Sequence, residues 1–165
     1  MTSAPLKTKQ LTAALKITRP ANCVIGGLSI VIAAFIAGNG SLTAAVWWAV
    51  LSGALITAGA NVINDWYDIE IDKINRPDRV LPAGLLSPGF AFFFSMILFA
   101  CGLYFSILVD ELAVFIAFAS VFLLVIYSAR LKRALLLGNL VVSLITALAF
   151  VYGAVAAGNW RSGLI

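Results

Sequence analysis

Five of the seven carboxylates in this chain lie within fourteen residues, Asp65 to Asp78, and three of them share a helical spacing. At about 100° per residue, Asn61, Asp65, Asp68 and Asp72 fall in a sector of roughly 60°, while Glu70 points nearly the opposite way. Like charges within about 6 Å of each other raise carboxylate pKa values unless a counter-ion is present. Mg²⁺ supplies that charge, and it is commonly held by one or two carboxylates, retained waters and the oxygens of a bound phosphate. The face therefore points to a phosphorylated ligand more than to a bare ion. Arg76 and Arg79 follow, beyond an end set by Pro77, with planar forks that suit phosphate oxygens. A second cationic group, Arg130, Lys132 and Arg133, follows Tyr127 and Ser128 further along.

The elements that must position these groups are membrane spans. With 62% hydrophobic and 11% charged residues, the chain has too little polar surface to cover a globule of 165 residues in water. A hydrocarbon core of about 30 Å takes roughly 20 helical residues, and five stretches approach that length. They are Ala21 to Ala37, Thr43 to Ile63, Pro88 to Leu108, Leu112 to Ser128 and Leu135 to Ala157. An all-α, polytopic helix bundle is expected, with a short N-terminal segment, 1–20, ahead of it. The first span is kept as a helix and not a cleaved signal, because cutting after Ala37 puts the large Phe35 where a small residue is required.

Charge gives the bundle a direction. Ten of the eleven cations fall on the side of the N-terminus and the second and fourth loops, leaving only Arg161 opposite. The positive-inside rule makes that side, and the aspartates with it, cytoplasmic. The cations sit in short clusters between apolar runs and form no continuous basic face, so the net charge of +4 orients the protein and implies no nucleic acid. With no histidine, catalytic triads and His-containing metal sites are excluded. Cys23 and Cys101 are far apart in apolar runs, which rules out a CxxC pair and suggests two small buried hydrophobes.

Gly26, Gly27, Gly53, Thr57, Gly153 and Ala157 are expected to permit close helix contacts. Trp47, Trp48 and Trp160 fall near span ends, as interfacial anchors do. An acidic face in a membrane protein also suits an ion path, and an acidic loop suits a scaffold that recruits a partner. Residue types and spacing alone leave those two classes open beside an enzyme.

The wording of the segment narrows the choice. Asn64-Asp65-x-x-Asp68-x-x-x-Asp72 resembles the first aspartate motif of the UbiA prenyltransferases. The likeness continues through Lys73-Ile-Asn75-Arg76-Pro77-x-Arg79-x-Leu81-Pro82-x-Gly84 and then Tyr127-Ser-x-x-Leu131-Lys132-Arg133 with Gly138-Asn139. Val80 stands where related sequences often have proline. After the third aspartate the wording is most similar to the branches that prenylate a glycerol phosphate ether lipid or chlorophyllide.

The resemblance implies an all-helical cavity open to the bilayer, in which Mg²⁺ joins aspartates to a prenyl diphosphate. Asn61, Asp65, Asp68 and Asp72 would form the first metal motif. Asn64, Arg76, Tyr127 and Lys132, with Arg79 and Arg133, would lie near the diphosphate. The expected reaction transfers a prenyl group, geranylgeranyl by likeness, to a lipid-soluble acceptor such as a prenylglycerol phosphate, with chlorophyllide or an aromatic quinone precursor as alternatives. The likeness covers about the first half of a family member, 21–165 here, without the family's second aspartate motif. Little turnover is expected from these residues alone.

Overall fold

A computed structural model describes residues 6–161; the first five residues of the N-terminal segment and 162–165, including Gly163 to Ile165, lie outside it. The helices run α1 (Leu6–Ile17), α2 (Pro20–Ala37), α3 (Ala44–Tyr67), α4 (Ile69–Asn75), α5 (Pro88–Ile107), α6 (Glu111–Ala129) and α7 (Leu135–Ala156), with a single 3₁₀ turn at Leu131–Arg133 before α7. Among the described residues five helices are long and apolar enough to cross a membrane, and they match the five expected spans to within a few residues. The all-α bundle is as the hydropathy predicts.

The second span, α3, is the central post, packed against α5, α2, α6 and α7. Small residues allow this. An added Cβ at Gly153 would come within 2.5 Å of the Ile30 carbonyl on α2, and one at Gly102 would meet Ile56 of α3 at 2.6 Å. Gly26 approaches the Thr57 hydroxyl in the same way. Backbones this close gain dispersion contacts, the main source of helix association where the solvent is as apolar as the side chains. Ile30, Val46, Ile56, Ile63, Phe99, Ile116 and Tyr152 fill the core.

A second apolar cluster lies at one end. Ala13 and Ile17 of α1 bury against Val62 of α3, Ala91 of α5 and the loop residues Val80, Leu81 and Leu86. Loop 76–87 is thus a packed element, tied by Ala83 N–H to the Arg79 carbonyl (2.9 Å) and Leu85 N–H to the Val80 carbonyl (3.1 Å). Val80 is a core residue of this cluster at 3% exposure, so an apolar side chain is what the position requires. Ser87 closes the loop by accepting from Phe90 N–H, and Pro88 starts α5 at a position where its missing donor is not needed.

One expectation needs correction. Cys101 is exposed on the outer face of α5 and Cys23 is only part-buried, so neither is a core hydrophobe. The Trp66 ring, beside the aspartates, packs on Phe92 at 5.4 Å, inside the bundle. Trp47 and Trp48 are exposed near a span end and Trp160 just beyond one, as anchors are.

Candidate active site

The helix carrying the aspartates does not run on unbroken. At Asp68 the backbone leaves helical geometry (φ −96°, ψ 1°), and α4 begins one residue later. The rotation is largely kept, because Asp68 N–H still donates to the Asn64 carbonyl (3.1 Å) and Asp72 N–H to the Asp68 carbonyl (2.8 Å). The consequence is a split stripe, with Asp65 and Asp72 on one side and Asp68 with Asn64 on the other.

Each side meets its own cations. Arg79 donates to Asp72 Oδ2 at 2.6 Å and stands 3.5 Å from Asp65 Oδ1 through the same nitrogen, so Asp65 and Asp72 converge on one point. Asp65 also accepts from Arg19. Lys132, from the turn before α7, donates to Asp68 Oδ1 at 2.6 Å and to Asn64 Oδ1 at 3.3 Å, while Asn64 Nδ2 donates to Asp68 Oδ2 at 3.2 Å. Asn61 sits lower, its Nδ2 donating to the Thr18 carbonyl at 2.8 Å. Three segments distant in sequence therefore each bring a cation to one short acidic stretch.

Burial makes these contacts consequential. The side chains of Asp65 and Asp72 are 9% and 8% exposed, and those of Asp68 and Lys132 are 19% and 16%. Burial works against the Arg79 charge, but its bond to Asp72 and the fields of Asp65, Asp72 and Asp68 outweigh this and hold its pKa above the ordinary value. Glu70 and Lys73 pair on the exposed side at 2.7 Å, as the helical angle predicts for Glu70.

Not every expected residue joins. Arg76 caps the end of α4 and is exposed, as is Arg133, and Tyr127 is part-buried on α6. Arg19, which the sequence marked only as an orienting charge, is the unexpected member. It holds a left-handed backbone (φ 51°, ψ 71°) in the bend between α1 and α2, which turns its guanidinium toward α3. Gly138 helps Lys132 arrive: a Cβ there would lie 3.0 Å from the Leu131 carbonyl and 3.6 Å from Lys132 Cα, so any larger residue would press the turn back by a few tenths of an ångström where it folds onto α7.

Among the described residues no three acidic, Cys or His groups are gathered tightly enough to enclose a metal ion. The donor set still fits Mg²⁺, which favours hard oxygen ligands and completes its shell with waters and phosphate oxygens. Asp65 and Asp72, converging where a cation already stands, are the pair that fits it best.

Known proteins resemble this chain in sequence and in fold. The model of the UbiA prenyltransferase family matches residues 27–165. The chain is 42% identical over 148 residues to a digeranylgeranylglyceryl phosphate synthase of Methanoculleus marisnigri, a match that covers 90% of this chain and 53% of that protein. It is likewise 42% identical over 146 residues to the synthase of Methanoregula boonei, covering 88% of this chain and 52% of the other. A solved structure described as a digeranylgeranylglyceryl phosphate synthase in membranes superposes with a TM-score of 0.91 at 31% identity, over 94% of this chain and 56% of that one. The chain spans about half the length of the curated relatives it matches.

Proposed function

This chain belongs to the UbiA prenyltransferase family, and from that premise we propose that it transfers a geranylgeranyl group from its diphosphate to a prenylglycerol phosphate, with Mg²⁺, at the cytoplasmic face of a membrane. The observation that carries this reading is the meeting of Asp65, Asp68 and Asp72 with Arg19, Arg79 and Lys132 at the mouth of an apolar bundle. Alternating carboxylates and cations are what a metal-bound polyanion needs, since the carboxylates face the metal and the cations face the phosphates. The names of the relatives support the glycerol phosphate acceptor.

Asp65, Asp68 and Asp72, with the amide oxygen of Asn61, would hold Mg²⁺. When bound, it offsets the charge that grows on the departing diphosphate. The C–O bond of the donor breaks with its electron pair leaving on the diphosphate, an acceptor hydroxyl oxygen forms the new ether bond to the prenyl carbon, and the hydroxyl proton passes to the departing diphosphate. Arg79 and Lys132, with Asn64 beside them, would exchange carboxylate partners for phosphate oxygens, while Arg76, Tyr127 and Arg133, which stand apart from the acids in this structure, would have to turn inward to reach the headgroup. The spans keep water from the allylic cation, which water would otherwise capture.

The test is transfer of labelled geranylgeranyl to geranylgeranylglycerol phosphate by membranes carrying the full-length protein, with and without Mg²⁺. Asp65→Asn and Asp68→Asn are each expected to lower turnover by about a hundredfold or more, the scale of losing electrostatic support for a developing charge. Undiminished turnover in both variants would refute the assignment. Chlorophyllide and an aromatic quinone precursor, offered in the same assay, check the acceptor.

A further inference from the structure

Arg19 holds a left-handed backbone in the bend between α1 and α2, a conformation that costs any residue with a Cβ and that glycine would hold freely. Pro20 follows it and disfavours the right-handed helical geometry that would let α1 run straight into α2. Strain of this kind persists only where the surroundings hold it. The bend also leaves the Thr18 carbonyl without a helical donor, since the Asn22 and Cys23 N–H groups turn to the Arg19 carbonyl instead, at 2.9 and 3.4 Å.

Asn61 supplies the hold. Its Nδ2 donates to that Thr18 carbonyl at 2.8 Å, with the Cys23 thiol as a weaker donor at 3.4 Å. Asn61 and Asp65 are four residues apart on α3, about one turn, so they share a face. One face of α3 therefore grips the bend at two successive points, Asn61 on the Thr18 carbonyl and Asp65 on the Arg19 guanidinium. Asn22 Nδ2 stands 3.5 Å from Asn61 Oδ1, the limit of a hydrogen bond, so the Asn61 amide is engaged mainly through its nitrogen. At Asp65 the two cations differ. Arg79 divides itself between Asp65 and Asp72, while Arg19, among the described residues, pairs with Asp65 alone. Arg19 is thus the contact that still fixes this carboxylate once Arg79 turns to a phosphate.

We infer that Asn61 and Arg19 form one positioning unit for Asp65: the Asn61 amide nitrogen, through the Thr18 carbonyl, holds the left-handed bend that keeps the Arg19 guanidinium on the Asp65 carboxylate. The inference rests on the proposed function in one respect, that Asp65 faces the metal. The role of the nitrogen is separate from the ligation proposed for the Asn61 oxygen. Asn61 is then a positioning residue that acts through Arg19.

The experiment uses the full-length protein in lipid nanodiscs with a geranylgeranyl thiolo-diphosphate, which resists cleavage, and reads by titration the Mg²⁺ concentration that half-saturates its binding. Asn61→Asp keeps an oxygen for the metal and removes the donor, while Asn61→Ala removes both. Both are expected to raise the Mg²⁺ requirement about tenfold, the scale of one lost charge-assisted hydrogen bond, and Arg19→Gln to do the same. Because Asn61 acts through Arg19, the double variant Asn61→Ala with Arg19→Gln should stay near about tenfold, where independent roles multiply to about a hundredfold. Arg19→Lys keeps a cation beside Asp65 and should recover most of what Arg19→Gln loses. A metal-free readout comes from Cys23, whose thiol is held in the same bend. With Cys101→Ala removing the exposed thiol, maleimide labelling of Cys23 should run about fivefold faster or more in both Asn61 variants, as local opening of the bend requires. A wild-type Mg²⁺ requirement in Asn61→Asp, a multiplicative double variant, or an unmoved Cys23 rate overturns the inference. Absence of Mg²⁺-dependent binding in the wild type would instead count against the proposed function, and the Cys23 rates would still decide what holds the bend.

Discussion

Asp72 and Glu70 are two residues apart and stand in opposite electrostatic circumstances. Asp72 is 8% exposed and accepts from Arg79, while Glu70 is 83% exposed and pairs only with Lys73. Removing a carboxylate from a buried pair leaves its partner desolvated and uncompensated, whereas an exposed pair regains water. Asp72→Asn is expected to destabilise the protein by about 1–2 kcal/mol, since Arg79 keeps Asp65 at 3.5 Å and is part-exposed, and Glu70→Gln by less than about 0.5 kcal/mol. Thermal unfolding in detergent checks both, and equal shifts would sink the distinction. The acidic half of this site was legible in the sequence, because the i, i+3 and i+7 spacing of Asp65, Asp68 and Asp72 fixes a helical face whatever surrounds it. Arg79 and Lys132 were legible as cations on the same side. Arg19 was not, because its role depends on a left-handed backbone that no local pattern announced. The order of spans held a clue: the first span must begin at the level where the second ends, so Arg19 and Asp65 were bound to be neighbours in depth.

Among the elements, the five spans followed from apolar length alone, since a lipid solvent makes hydropathy the dominant local signal. Helix α1 did not, because it is short and half polar, and its stability comes from Ala13 and Ile17 docking on Val62 and the 80–86 loop. The break at Asp68 also escaped a reading that extends one helical period from Asn61 to Asp72, yet it is what divides the carboxylates between Arg79 and Lys132. The turn that delivers Lys132 gives a sharp test of element geometry. Gly138→Ala puts a Cβ 3.0 Å from the Leu131 carbonyl, so the turn must shift, and Lys132 with it. Affinity for a prenyl thiolo-diphosphate is expected to fall about tenfold, the equivalent of roughly one weakened charge-assisted hydrogen bond. Gly89→Ala, in the first turn of α5 with nothing within 4 Å of the new methyl, should leave affinity unchanged and add up to about 1 kcal/mol of stability. Equal affinities in the two variants would disconnect the turn from the site.

At the scale of the whole molecule, the fold gathers Lys16, Arg19, Arg79, Arg130, Lys132 and the aspartates at one end, while Arg161, stacked 5.6 Å from the Trp160 ring, lies at the other. Short loops with this imbalance insert with the cation-rich end inward, because translocating many cations opposes the membrane potential and the lipid charge. Under the proposed function, that orientation would put the site within reach of a water-soluble diphosphate headgroup while the tail stays in the bundle. A background of Cys23→Ala and Cys101→Ala removes the native thiols, of which Cys101 is exposed. Single cysteines then report each end: Asn75→Cys beside the aspartates, and Ser41→Cys, exposed in the loop between α2 and α3 at the opposite end. In intact cells a membrane-impermeant maleimide is expected to label Ser41→Cys at once and Asn75→Cys only after permeabilisation. The reverse pattern would put the aspartates outside the cell and end the cytoplasmic assignment, while leaving the geometry of the site untouched.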